Sequence, residues 1–75
     1  MKQIYNMSQE EIRRTIIPYL DSGVFSRAAQ CYERLLFLGE LRRYGYLRLA
    51  FVYAKQGKEN AAERIYNRYI AIYKY

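Results

Sequence analysis

A helix-turn-helix pattern that occurs twice, 34 residues apart, is the feature that most constrains the fold of this chain. The second copy runs from Leu49 to Ile70 and reads as one helix, a turn centred on Gly57 and another helix. The shift aligns similar residues of the two copies: Tyr19 with Tyr53, Gly23 with Gly57, Ala28 with Ala62, Tyr32 with Tyr66, Arg34 with Arg68 and Leu36 with Ile70. A fixed period of this size is typical of helical-repeat proteins, so the sequence predicts two stacked helix pairs.

The spacing of apolar residues and the positions of the glycines predict where the helices begin and end. We predict four helices, over about residues 9–21, 25–38, 41–56 and 59–73. Ser8 and Glu11 match a capping box, in which each side chain accepts a hydrogen bond from the other residue's backbone N–H. Pro18 lies inside the first helix, so the helix either kinks there or ends early. We favour a kink with continuation to Asp21, because the repeat register requires it.

The second repeat resembles the tetratricopeptide repeat (TPR) family in its small residues, its aromatic residues and its turn glycine. The residues that carry the resemblance are Ala50, Tyr53, Gly57, Ala62 and Tyr66. The first repeat matches at Tyr19, Gly23, Ala28 and Tyr32, and departs from the family at Ile16 and Pro18. Small residues let two helices approach closely, and the aromatic side chains fill the adjacent gaps.

The resemblance implies an all-α fold, in which four helices form two TPR-like helix-turn-helix pairs of a short α-solenoid. Residues 1–75 would then be a single domain, with the first repeat over about residues 8–39 and the second over about residues 40–74. Such repeats are scaffolds for binding rather than catalysis. We therefore expect an adaptor or a small chaperone that holds a protein partner.

The charge of the chain is unevenly distributed along it. The formal net charge is +6; residues 1–39 carry five basic and four acidic side chains, and residues 40–75 carry eight basic and three acidic ones. A basic half is compatible with nucleic acid, an anionic membrane surface or an acidic partner, and equally with a solvated helix face.

The residues that most enzymes use are scarce. There is no His, and Cys31 is the single Cys. The chain therefore lacks the ligands of a typical zinc site and the Cys–His pair that thiol–imidazole catalysis needs. We expect no enzymatic activity, no metal and no cofactor. A lone Cys does not favour an oxidising compartment, and no secretory signal or membrane-spanning run is apparent, so we expect a cytoplasmic protein without membrane insertion.

The resemblance also implies a binding groove, because the first helix of each TPR pair lines the concave face. The matching residues are Arg13, Ile17, Leu20 and Asp21 in the first pair, and Tyr44, Leu47, Phe51, Ala54 and Lys55 in the second. An apolar middle with charged edges suits a helical segment of a partner. Some members of the family bind acidic C-terminal tails with several Lys, Arg and Asn side chains. This groove would offer only Arg13 and Lys55 for that mode, so the mode is not favoured. Alternatively, the chain's own N-terminal segment or self-association covers these residues.

The last helix has apolar residues on more than the one side that would face the core. Their exposure predicts a second interface. We expect it to consist of Ile65, Tyr69, Ile72 and Tyr73. Since two repeats are few for a solenoid, we predict a homodimer or a subunit of a heterocomplex. In size and class, the chain is similar to the small TPR-like chaperones of type III secretion.

A second hypothesis is a nucleic-acid-associated helical-repeat protein that uses the basic half of the chain. The pentatricopeptide repeat family of RNA readers has a similar period, with a small polar residue facing each base. The matching positions hold Arg13 and Leu47, so a base-reading code is not supported. Arg42, Arg43 and Arg48 could contact phosphate, or form a solvated helix end.

Overall fold

The computed structural model describes residues 4–73 of the chain, apart from the side chain of Tyr5. A 3₁₀ helix over Ile4–Asn6 is followed by α1 (Gln9–Asp21), α2 (Phe25–Phe37), α3 (Arg43–Lys55) and α4 (Glu59–Ile72). Helices pack against their neighbours along the chain, α1 on α2, α2 on α3 and α3 on α4, and the 3₁₀ helix lies against α2. The predicted all-α fold, a short solenoid of two helix pairs, is confirmed for this part of the chain.

The start of α1 is fixed by the predicted capping box. The Ser8 hydroxyl accepts a hydrogen bond from the Glu11 backbone N–H at 3.2 Å, and the Glu11 carboxylate accepts one from the Ser8 N–H at 3.1 Å. Two backbone donors that the helix itself cannot satisfy are therefore paired. The helix then continues through Pro18 to Asp21, as predicted, and the Pro18 carbonyl accepts from the Ser22 N–H at 3.0 Å.

Each helix pair turns at a glycine in the left-handed conformation. Gly23 has a φ of 71° and Gly57 a φ of 76°, where residues with a Cβ atom are strained. At the first turn, the N–H groups of Gly23 and Val24 return to the carbonyls of Leu20 and Tyr19. Equivalent bonds surround Gly57, so both turns are Schellman motifs. The period seen in the sequence is thus a repeated backbone geometry.

The start of α3 differs from the prediction. The helix begins at Arg43 rather than Leu41, and Arg42 precedes it with an extended backbone. Leu41 is buried, and its side chain lies against Gly45: a Cβ atom at Gly45 would be 2.5 Å from Leu41 Cδ1. The missing side chain of Gly45 therefore makes room for Leu41 to fold back over the first turn of α3. The ends of α2, α3 and α4 each lie one residue before the predicted ends.

The core lies between the helices and takes residues from all four. Ile12 of α1 and Leu49 and Val52 of α3 are completely enclosed. The other buried apolar residues are Ile16, Ala28, Ala29, Cys31, Tyr32, Leu35, Leu41, Tyr46 and Ile65. Ala28 of α2 occupies the small position that the first repeat shares with Ala62 of the second, which allows close helix approach.

Candidate functional site

A cleft opens between α1 and α3, with α2 as its floor. Its volume is about 340 Å³. Its lining residues are Arg13, Ile16 and Ile17 of α1, Tyr32 and Leu35 of α2, Leu41 and Arg42 of the segment before α3, and Tyr44, Gly45 and Arg48 of α3. We call this the α1–α3 cleft. Its position, between the first helices of the two repeats, is that expected for a concave binding face.

Arg13, Arg42 and Arg48 give the α1–α3 cleft a basic character alongside its apolar walls. Arg13 is held in place, because its guanidinium donates to the Glu40 backbone carbonyl at 2.6 Å and also to the Gln9 side chain. Its side chain therefore joins α1 to the turn between the repeats. Of the two basic residues predicted for the groove, Arg13 lines the cleft and Lys55 does not, whereas Arg42 and Arg48 line it as well.

Tyr32 forms part of the floor and is 4% exposed. Its hydroxyl has no hydrogen-bond partner among residues 4–73. Burial raises the pKa of this hydroxyl. The nearby guanidinium of Arg48 opposes that rise through its positive charge and through a weak hydrogen-bonding contact that does not meet hydrogen-bond geometry. A buried polar group left unpaired destabilises a protein by about 1–3 kcal/mol, so the native fold tolerates a defect at the floor of the cleft.

Apart from Asp21, eight residues are predicted for the groove, and three of them line the α1–α3 cleft: Arg13, Ile17 and Tyr44. Ile17 and Tyr44 are strongly exposed, so they are accessible to a partner. The other five lie outside the cleft: Leu20, Leu47, Phe51, Ala54 and Lys55. Asp21, considered with them, is exposed at the end of α1 and also lies outside it.

The predicted residues outside the cleft have other surroundings. Leu20 packs against the core. Phe51 meets Phe25 of α2 edge to face, with 6.4 Å between ring centroids, and the Lys55 ammonium lies 5.4 Å from the Phe51 ring. Leu47 is half-buried and Ala54 is exposed. The predicted groove thus divides into the cleft and a separate aromatic contact near the other end of α3.

Sequence reasoning missed the floor of the cleft and part of its basic rim. Tyr32 and Leu35 belong to α2, and the family resemblance assigns the groove to the first helix of each pair. Arg42 and Arg48 belong to the predicted basic patch, but their place in the cleft depends on how α3 packs beside α1. Leu41 lies buried just before α3 rather than inside it, and no local sequence signal reveals that position.

The four residues predicted for a second interface on α4 differ in how exposed they are. Ile65 is buried in the core, so it offers almost no surface to a partner. Tyr69 and Tyr73 are half-buried against the core, and Tyr73 meets Tyr46 of α3 with 5.8 Å between ring centroids. Of the four predicted residues, Ile72 is the one with a largely exposed side chain. The physical reason is helix phase, because positions 65, 69 and 73 follow each other along the side that faces α3.

Other large side chains of α4 are exposed instead. Tyr66 is 48% exposed and Ile70 is 40% exposed. They lie one helical turn apart, and the Tyr66 ring stacks on the Tyr69 ring with 6.2 Å between centroids. An exposed apolar surface on α4 is therefore present, but its residues differ from those predicted.

Within residues 4–73, no three His, Cys, Asp or Glu side chains converge as a metal site requires, and no helix is long and apolar enough to cross a bilayer. Cys31 is buried, and burial raises the pKa of its thiol, with Arg27 acting in the opposite direction. Comparison of the chain with protein-family models, curated proteins and solved structures finds no match.

Proposed function

We infer that this chain is a non-enzymatic protein–protein interaction module of the TPR kind, an adaptor or small chaperone that acts in the cytoplasm within a homodimer or heterocomplex. Its α1–α3 cleft would bind a helical segment of a partner. The observation that carries this proposal is the buried, unpaired hydroxyl of Tyr32 at the floor of an open cleft. Buried polar groups are normally paired, so this hydroxyl marks a place for a polar group of the partner.

The lining indicates the chemistry of that segment. Ile16, Ile17 and Leu35 offer apolar walls to one face of an amphipathic helix. Arg42 and Arg48 would pair with an acidic side chain of the same helix. That carboxylate would accept a hydrogen bond from the enclosed Tyr32 hydroxyl once the exposed side chain of Arg48 moves aside. The preferred ligand is therefore a helix with an apolar face flanked by acidic residues.

The proposal can be tested with two fluorescent amphipathic peptides that share a leucine face and carry either glutamate or lysine beside it. We expect the glutamate peptide to bind at least about tenfold more tightly by fluorescence anisotropy, a difference of about 1.4 kcal/mol. Arg48→Glu should remove this preference. Arg27→Glu is the matched control, because Arg27 is exposed on α2 and does not line the cleft. Equal binding of both peptides by all three proteins would contradict the proposal.

Binding of single-stranded nucleic acid is a second candidate function, favoured by the three arginines around the cleft and the exposed ring of Tyr44. Arginines can follow a phosphate backbone, and an aromatic ring can stack on a base. The affinity for a single-stranded RNA homopolymer should then fall steeply as salt rises. Ile17→Gln separates the two candidates, since it should weaken the peptide complex and leave phosphate contacts intact.

A further inference from the structure

The contact between Tyr32 and Arg48 joins the two repeats. Each of these two residues has a counterpart of the same type one repeat away in the chain. A shift of 34 residues takes Tyr32 to Tyr66, and the reverse shift takes Arg48 to Arg14. In the first pair the arginine and the tyrosine both line the α1–α3 cleft, and the arginine's positive charge acts on the tyrosine hydroxyl. In the second pair the residues lie on α4 and α1, and both are exposed.

Tyr66 belongs to a stripe along one side of α4. Glu59, Glu63, Tyr66 and Ile70 follow each other at intervals of four, three and four residues, which places them on one helix face. All four are exposed, and we call them the α4 stripe. The equivalent residues of α2 are Phe25, Ala29, Tyr32 and Leu36, which are buried or half-buried.

The equivalent residues of α2 form contacts with α3, the first helix of the next repeat. Phe25 packs against Phe51 of α3, and Tyr32 lies near Arg48 of α3. The α4 stripe is therefore the counterpart of the face on which α2 receives the first helix of the following repeat. Among residues 4–73 nothing occupies that position on α4.

The matching surface lies at the other end of the molecule, on α1. Glu10, Arg14 and Ile17 are the 34-residue counterparts of Tyr44, Arg48 and Phe51 on α3. All three are exposed, and the side chain of Arg14 is 81% exposed. We propose that α1 of a second copy of the chain docks on the α4 stripe as α3 docks on α2, so that copies stack head to tail.

Charge complementarity supports a second copy as the occupant. Glu63 stands where α2 has Ala29, one helical turn from Tyr66. Arg14 of the second copy, placed over Tyr66 as Arg48 is placed beside Tyr32, would meet both an aromatic ring and the Glu63 carboxylate. In the single chain, Arg14 has Glu10 as an ion-pair partner at 3.8 Å in full exposure, which holds it weakly.

Because the two surfaces differ, this interface is heterologous and does not close on itself in a pair. The mean mass in solution should therefore rise continuously with concentration, beyond the mass of two chains. A symmetric contact of α4 with α4 would instead stop at a dimer. Light scattering on the size-exclusion eluate distinguishes these cases.

Two variants that each lose one surface provide the decisive experiment. Arg14→Glu places a carboxylate against Glu63 and blocks the α1 surface, whereas Tyr66→Ser with Ile70→Ser removes the apolar part of the α4 stripe. Each variant alone should remain a monomer. Their mixture should give a one-to-one dimer and nothing larger, because it retains one intact pair of surfaces.

Arg64→Glu is the matched control, since Arg64 is exposed on another side of α4, and it should assemble as the unmodified chain does. Helical content by circular dichroism shows that each variant is folded. Three results would overturn the proposal: an unmodified chain that stays monomeric at every concentration, a mixture that stays monomeric, or an Arg14→Glu variant that dimerises alone.

Discussion

The Tyr53 hydroxyl on α3 donates a hydrogen bond to the Glu33 carboxylate on α2, which joins the second repeat to the first. Burial of Tyr53, together with the hydrogen bond to Glu33 and its negative charge, raises the pKa of this hydroxyl well above its usual value. The folded chain thus holds the Tyr53 proton more tightly than the unfolded chain does. Folding and the ionisation of Tyr53 are therefore linked.

This linkage predicts a loss of stability in alkali. The contribution is fully present below about pH 10, the ordinary pKa of tyrosine, and is lost as the pH rises from there through the raised pKa of the folded state. Urea unfolding at a series of pH values from about 9 to 11 should show the decline. Tyr53→Phe should make the free energy of unfolding depend less on pH. Tyr44→Phe, which changes an exposed ring, should leave the decline with pH as steep as in the unmodified chain. Equal slopes for the two variants would disprove the assignment to Tyr53.

The helices were predictable because their signals are local. The capping box at Ser8 and the glycines at the two turns specify backbone geometry within a few residues, and the structure has that geometry. Continuation of α1 through Pro18 was predictable from the repeat register, which is long-range information that repetition makes visible in the sequence.

The cleft was less predictable because its lining depends on packing between elements. Leu41 folds inward over Gly45, α3 begins at Arg43, and Arg42 and Arg48 line the cleft. On α4, apolar residues surround more than half of the helix, so composition does not reveal which side faces the core. The burial of Ile65 and the exposure of Tyr66 follow from the contact with α3.

The close approach of Leu41 to Gly45 leads to a prediction about an apparently favourable substitution. In an exposed helix, Gly→Ala stabilises by about 1 kcal/mol. At Gly45 the new methyl would lie 2.5 Å from Leu41 Cδ1 and 3.0 Å from Cγ, so Leu41 must leave its buried position. We expect Gly45→Ala to be neutral or destabilising in chemical unfolding.

The test of this explanation is a double-mutant cycle. In a Leu41→Ala background the obstruction is absent, and Gly45→Ala should then stabilise the chain by about 1 kcal/mol. If Gly45→Ala stabilises the chain equally in both backgrounds, the contact with Leu41 does not control this position.

The capping box gives a third prediction. Ser8→Ala removes the acceptor for the Glu11 N–H and should lower the free energy of unfolding by about 1 kcal/mol. Ser8→Asp should retain most of the stability, because a carboxylate at the same place can accept that hydrogen bond. Ser26→Ala is the control, since Ser26 is exposed within the first turn of α2. A comparable loss at Ser26 would show that the effect is not due to capping.

The unpaired hydroxyl of Tyr32 leads to opposite expectations for stability and for binding. Tyr32→Phe removes a buried polar atom that has no partner among residues 4–73 and keeps the ring that fills the core. We expect the free energy of unfolding to rise by about 1 kcal/mol, because the desolvation penalty of the hydroxyl disappears. The affinity for the glutamate peptide should fall several-fold, because its carboxylate loses a hydrogen-bond donor.

Measured together, these two quantities distinguish a binding residue from a merely structural one. Tyr46 provides the comparison, since it is also a buried tyrosine but does not line the cleft. Tyr46→Phe should leave peptide affinity unchanged, whatever it does to stability. If Tyr32→Phe destabilises the chain, the hydroxyl is paired in solution within the folded protein. If it stabilises the chain and leaves peptide affinity unchanged, the defect at the cleft floor does not serve the binding of a partner.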